Sequence, residues 1–358
     1  MSRRSQKRSL LRSLTYISLF SGIGGFEEGI IAVFPNAKCL GYSEINDAAL
    51  RVYREHFPDH PPLGDITKVD GNLYRGKVDL LVGGSPCQNF SMIGDHKGIT
   101  GTKSKLINEY LRLLKEIRPK FFVLENVKMS KKNQNFISDL IGYEPVCIDS
   151  NIVSHQRRKR LYWCNFDISA LANEPTLRGS VNKSLLPKND KKLREVLEKD
   201  LDRPKSILDK KLKNICKGSS DHYIIGMNRT DLNSPTLTTE ASGHHFVCES
   251  SNRARQLHPI EMENLQTFPR DWTSSLTRTQ RSMVLGNAVT CKVIEKIMKI
   301  LKSEMNKEHE KISENKVESE NRVKSCRTKS HESCADSRRK RLAKKHKSAR
   351  KSRQRSRK

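Results

Sequence analysis

The sequence predicts an α/β protein: a doubly wound, mostly parallel sheet with a smaller, irregular second region. Three observations predict it. Short apolar runs alternate with segments of helical apolar spacing between Tyr16 and Leu124, the pattern of strands joined by crossover helices. Two of these runs end in glycine-rich turns, Ser21-Gly22-Ile23-Gly24-Gly25 and Gly83-Gly84-Ser85-Pro86-Cys87-Gln88. Loops at the carboxyl ends of strands are where an open α/β sheet binds ligands. From about 166 to 250 lysines are dense and Ser/Thr/Asn/Gly turns frequent, which breaks the regular pattern.

The elements follow in order. Tyr16–Phe20 is a first strand, and Phe26–Phe34 has helical spacing. Lys38–Glu44 is a second strand ending in a carboxylate, and Asp47–Phe57 a second helix. Gly64-Asp65-Ile66 turns the chain after a proline-rich stretch, and Val78–Val82 is a buried strand. Leu106, Tyr110, Leu113, Leu114 and Ile117 lie on one side of a helix over 105–117. Pro119 closes that helix before the strand Phe121–Leu124, and Leu161–Cys164 is another strand. Ile294, Ile297, Met298 and Leu301 form a helix face able to pack back onto the sheet.

Charge points to a polyanion. The chain has 358 residues and a formal net charge of +28. Residues 303–358 contribute +12, the first 13 residues +5, and the body between them +11. The excess is therefore not confined to the ends, and nucleic acid is the favoured partner. Residues 338–358 hold 13 Lys/Arg and no acid; such a tail is predicted to be disordered and to contact phosphate without sequence preference. No run of 18 apolar residues is present and no apolar h-region follows the basic N-terminus before Leu14, so neither a membrane span nor a secretory signal is expected. The nine cysteines are scattered, without a C-x-x-C pair. That disfavours a disulfide framework or a zinc ribbon and fits a reducing compartment. His244-His245 has no partner spacing for a metal site, and no metal is expected.

Several residues carry chemistry. Cys87 follows Pro86 on a Gly/Pro-rich loop just past a strand end. Glu44, about 20 residues after the glycine turn, is placed to accept ribose hydroxyls, so turn and carboxylate together suggest a ribose-bearing cofactor. Glu125-Asn126-Val127 follows a strand at the same sheet edge as Cys87. A nucleophilic cysteine beside a carboxylic acid suits attack on an electron-poor ring whose nitrogen is protonated. Alternation along a strand would point Arg158 and Arg160 to one face, as a pair suited to phosphate or carboxylate.

In this order the motifs resemble the DNA (cytosine-5)-methyltransferase family, and phage and bacterial members most. The matched motifs are Phe20-Ser21-Gly22-Ile23-Gly24-Gly25, Glu44, Gly64-Asp65-Ile66, Gly84-Ser85-Pro86-Cys87-Gln88 and Glu125-Asn126-Val127. Gln156-x-Arg158-x-Arg160, Arg255-x-Leu257-x-Pro259-x-Glu261 with Leu265-Gln266-x-Phe268-Pro269, and Gly286-Asn287-Ala288-Val289 complete them, over about 15–300. One departure is Ser18, where the family often has an acidic residue.

The resemblance implies a Rossmann-like, class I methyltransferase fold and S-adenosylmethionine-dependent methylation of cytosine C5 in a specific double-stranded DNA sequence, with base flipping. Cys87 would attack C6, Glu125 would hold or protonate N3, and Arg160 with Arg158 would hold the target base and phosphate. Phe20 and Ile45 would flank the adenine, Glu44 would bind the ribose and Asp65 the adenine amino group. Gly22, Gly24, Gly25, Ile66, Pro86, Asn287 and Val289 would complete the cofactor site, and Gln88, Ser91, Gln156, Thr236 and Leu237 would contact DNA. The implied layout is a basic extension (1–13), a catalytic cofactor-binding domain (14–165), a target-recognition region (166–252), a return to the catalytic domain (253–302) and the basic tail (303–358). A monomer is expected, in the cytoplasm of a bacterial or phage-infected cell or the nucleus of a eukaryotic host, with a cognate restriction endonuclease as candidate partner. The alternatives are a transfer-RNA cytosine-5 methyltransferase, whose Cys-Phe-Thr signature is absent here, and a catalytically silent DNA-binding homologue, which would lack the Pro-Cys dipeptide or the glutamate of Glu-Asn-Val.

Overall fold

A computed structural model describes residues 13–86, 105–177 and 253–308, with 184–186, 190–191, 224–226, 234, 236–237, 239, 246–250 and 311. The chain divides into two units, Met1–Leu301 and Lys302–Lys358. In the second, the described residues 302–308 are helical.

The first unit is built on a six-stranded sheet. Its strands in chain order are β1 (Thr15–Leu19), β2 (Lys38–Ser43), β3 (Leu80–Gly84), β4 (Phe121–Val127), β5 (Val146–Asp149) and β6 (Lys159–Cys164). Their spatial order is β2-β1-β3-β4-β6-β5. The first four are parallel, and β6 runs antiparallel to both its neighbours. Tyr16, Ile17 and Leu19 of β1 and Leu80, Leu81 and Val82 of β3 are wholly buried on both faces, as helices covering both sides require.

The helices match the expected alternation, with shifted ends. α1 (Gly25–Ile31) stops short of the expected Phe34, because Pro35 cannot continue a helix and biases the residue before it towards extended backbone. α2 (Asp47–His56) is capped by the Asn46 side chain on the Ala49 amide. α3 (Lys105–Ile117) buries Tyr110, Leu113 and Ile117 in the core, while Leu106 and Leu114 lie at the core's rim. α4 (Lys131–Ile141) follows β4 and ends at Gly142 in the left-handed region.

The return closes the other face. α5 (Pro259–Gln266) and α6 (Arg278–Asn287) pack on one another, and α7, starting at 291, buries Ile294, Ile297, Met298 and Leu301 completely. Gly29 of α1 makes this approach possible, since a Cβ there would lie 2.6 Å from Ile294. A second sheet of three short strands has the order β7 (Ile224–Gly226), β8 (Phe246–Ser250), β9 (Arg253–Gln256). β9 pairs antiparallel with β8. Among the described residues no helix is long and apolar enough to cross a membrane.

Candidate functional site

The carboxyl ends of β1, β3 and β4, with the residues just beyond β2, surround a cavity of about 400 Å³. Its first wall is the turn after β1. Phe20, Gly22 and Gly24 have φ of 53°, 57° and 88°, a left-handed path that glycine adopts at no steric cost. The turn is seated from both sides: a Cβ on Gly24 would lie 2.3 Å from the Phe57 ring, and one on Gly25 would lie 2.7 Å from Val289. The 286–289 segment is thereby brought against the glycine turn, and Gly286, Asn287 and Val289 line the cavity.

Glu44 stands at the end of β2 and gathers this wall. Its Oε2 accepts from the Gly22 amide at 2.9 Å, and its Oε1 from the Ile45 and Asn46 amides, both at 2.8 Å. Ile45 lines the cavity with 71% of its surface exposed, an apolar face open to a ring. Beneath the turn, α1 buries Glu27 completely; lack of solvation pushes its carboxyl up to about 7, with the Ser18 and Tyr53 hydroxyls working against the shift.

Asp65 and Ile66 do not line the cavity. A parallel bridge between Tyr42 and Pro62 brings their segment beside β2. Asp65 Oδ1 accepts from the Thr67 amide and hydroxyl, both at 2.9 Å, and these bonds lower its pKa. Ile66 is buried in the core.

The opposite wall carries the acid. Glu125 on β4 and Arg160 on β6 are both mostly buried, with Arg160 Nε 3.1 Å from Glu125 Oε1. Burial raises the Glu125 pKa, and Arg160 and then Arg158 offset part of that rise. The result is a carboxyl shifted towards its protonated form beside a fixed cation. Gly84 admits it, since a Cβ there would lie 2.8 Å from Glu125 Oε2. Ser85 and Pro86 continue this wall.

Arg158 is placed differently from its expectation. β6 begins only at Lys159, so strand alternation does not govern Arg158. Its guanidinium is buried and donates to the carbonyls of Leu237, Gly286 and Ala288 at 2.8–3.0 Å. It lines the cavity, but these three acceptors occupy both terminal nitrogens, so it braces the wall instead of presenting a free fork to phosphate.

Two residues expected to contact DNA are buried in the same way. Gln156 is wholly buried; its Oε1 accepts from the Leu237 amide at 2.9 Å and its Nε2 donates to Leu265 O at 3.1 Å. Leu237 is 1% exposed within the core cluster around Trp272 and Ile23. Thr236 is partly exposed, and its hydroxyl donates to Arg157 O at 2.8 Å. Cys87, Gln88, Ser91 and the His244-His245 pair lie outside the described residues.

Sequence reasoning found several residues that join these pieces as motif members but missed what they hold. Gln266 is wholly buried and donates to Leu285 O and Ala288 O, while its Oε1 accepts from Thr290. Asn126 was legible as the middle of a motif, but its contact with Ser85 at 2.7 Å was not. Leu106 and Met283 reach the cavity from α3 and α6; an apolar residue at a helix rim carries no signal of such a role.

These walls fit S-adenosylmethionine. Gly22 brings backbone to the cavity rim, Glu44 offers a carboxylate at the end of β2, and Ile45 and Phe20 offer apolar surface for a purine.

Comparison with known proteins gives a consistent answer. The profile described as "C-5 cytosine-specific DNA methylase" matches residues 14–303. The type II methyltransferase M1.ScrFI of Lactococcus lactis subsp. cremoris is 31% identical over 312 residues, covering 80% of this chain and 78% of that protein. The orphan methyltransferase M.SPRI of Bacillus phage SPR is 30% identical over 253 residues, covering 66% of this chain and 57% of that protein. Among solved structures, the Entamoeba histolytica methyltransferase EhMeth superposes with a TM-score of 0.65 at 18% identity, covering 82% of this chain and 99% of that one. That likeness supports the fold.

Proposed function

The chain belongs to the C-5 cytosine-specific DNA methylase family, and on that premise we propose that it methylates C5 of cytosine at one short sequence of double-stranded DNA. The observation that carries the reading is the buried Glu125–Arg160 pair on the cavity wall, beside the Ser85-Pro86 turn that leads to Cys87. The target carbon is stacked inside a duplex, so the base is flipped into the cavity.

The residues divide the chemistry between them. The Cys87 thiolate adds to C6 of the ring. Glu125, shifted towards its protonated form, donates its proton to N3 and draws the electron pair of the C5–C6 bond to C5. Bound S-adenosylmethionine supplies an electrophilic methyl group for that carbon. Loss of the C5 proton to a base then re-forms the C5–C6 double bond and expels Cys87 as thiolate, while N3 returns its proton to the Glu125 carboxylate. Arg160 holds Glu125 in place and reaches the base from β6. Glu44 holds the ribose: Oε2, with one amide bond, keeps a lone pair for a hydroxyl.

Bisulfite sequencing of plasmid DNA from cells expressing the chain tests this reading. Cytosines within one short motif should resist conversion with wild type and convert fully with Cys87→Ser. Full conversion throughout with folded wild type, or protection that persists in the variant, would overturn it.

A further inference from the structure

The β3–β4 ladder is continued beyond its last backbone rung by a pair of side chains. Gly84 and Glu125 are the final register partners of the two strands. The next residues, Ser85 and Asn126, are both buried, and Asn126 Nδ2 donates to Ser85 Oγ at 2.7 Å. The other end of the carboxamide is also held, because Asn126 Oδ1 accepts from the Val127 amide at 2.8 Å. Asn126 is wholly buried and takes no part in the cavity lining. It therefore offers nothing to a substrate directly. What it does is fix Ser85, the residue at which the chain has left the ladder and not yet reached Pro86.

Glu125 and Asn126 are consecutive on β4, so one rigid strand carries both the acid and the tether. Glu125 faces the cavity with Arg160, and Asn126 points to the β3 side and holds Ser85. Any shift of Ser85 would change the separation between the segment that follows it and the Glu125 carboxyl. Misplacement by about 1 Å is enough to slow a reaction on the order of 100-fold.

We propose that Asn126, acting through the Ser85 hydroxyl, is a positioning residue that sets where the chain leaves β3 at Ser85-Pro86 relative to the Glu125 carboxyl, and so the point from which it continues to Cys87. The proposal rests on the assignment of Cys87 as nucleophile. Ser85 is half of the device, and its hydroxyl has no other assigned role.

The test is the rate at which full-length protein forms a covalent adduct with duplex DNA containing 5-fluorocytosine, measured for wild type, Ser85→Ala, Asn126→Ala and the double variant. S-adenosylmethionine affinity and melting temperature are measured in parallel. Each single variant should form adduct on the order of 10- to 100-fold more slowly, with cofactor affinity within about twofold of wild type. The double variant should be no slower than the slower single, because both changes cut the same bond. Adduct rates equal to wild type, multiplicative losses in the double variant, or losses matched by an equal fall in cofactor affinity would overturn the proposal. Should Asn126→Ala fail to fold, Ser85→Ala, which removes one oxygen, carries the test by itself. Absence of adduct with wild type would instead defeat the assignment of Cys87.

Discussion

Two adjoining parts of the cavity lining, the glycine turn and the 286–289 segment, are held by different means. The glycine-turn wall is tied by backbone: Glu44 collects the amides of Gly22, Ile45 and Asn46, and the Ser21 amide donates to Ser43 O. Its contacts join neighbouring strand ends. The wall formed by 286–289 is tied by buried side chains whose partners are distant in sequence. Arg158 reaches 79, 128 and 130 residues along the chain to three carbonyls, and Gln156 and Gln266 add bonds to Leu237, Leu265, Leu285 and Ala288. The first wall therefore depends on a local backbone path, and the second on a few buried donors whose loss strands several acceptors at once.

The sharpest way to break this comparison is Arg158→Ala. It removes a donor from three buried carbonyls, of which Ala288 O keeps Gln266 Nε2, and is expected to destabilise the fold by about 3–5 kcal/mol. Urea unfolding should show the midpoint falling steeply, and a midpoint within error of wild type would mean that Arg158 braces nothing.

Behind the glycine wall the expected effect depends on pH. Glu27 is wholly buried; Tyr53 OH donates to it at 3.0 Å, the Ser18 hydroxyl bears on it, and Glu28 adds repulsion. Its folded pKa of about 7 lies above the ordinary 4.5. The folded state therefore holds an extra proton between these values, and stability falls as pH rises from about 4.5 through about 7. The full difference is about 3 kcal/mol, and Glu27→Gln should remove it. Parallel stability-versus-pH curves for wild type and variant would contradict the placement of this carboxyl.

Glu44→Ala is expected to act on the ligand, weakening S-adenosylmethionine by about 1.5–3 kcal/mol in calorimetry. An unchanged affinity would mean that the ribose is held elsewhere. Thr236→Ala should have the smallest effect, below about 1 kcal/mol on stability, since its partly exposed hydroxyl makes one bond to Arg157 O. A larger loss would place Thr236 among the braces of the second wall.

The same division explains what could be foreseen from the sequence. The strand order up to β4, the glycine turn after β1 and the carboxylate of Glu44 follow from local patterns, whereas β3 and β4 run on to Gly84 and Val127, past the expected Val82 and Leu124. The antiparallel course of β6 did not follow from them, because apolar alternation carries no direction. The arginines were paired by strand alternation, yet the strand starts at Lys159 and only Arg160 meets Glu125. Gln156 and Leu237, expected at DNA, are buried against α5 and the Trp272 cluster. A polar residue in a motif and a polar residue in a core look alike until the distant partner that satisfies it is known.

The central claim is that Cys87 attacks the ring beside Glu125. Fluorine at C5 cannot leave as a proton, so duplex DNA carrying 5-fluorocytosine in the methylated sequence should trap wild-type protein with S-adenosylmethionine as a denaturant-resistant adduct, with Cys87 identified as the attached residue by mass spectrometry. Cys87→Ser should form none while still binding S-adenosylmethionine. Failure of folded, cofactor-binding wild type to form the adduct, or attachment through another residue, would contradict the account.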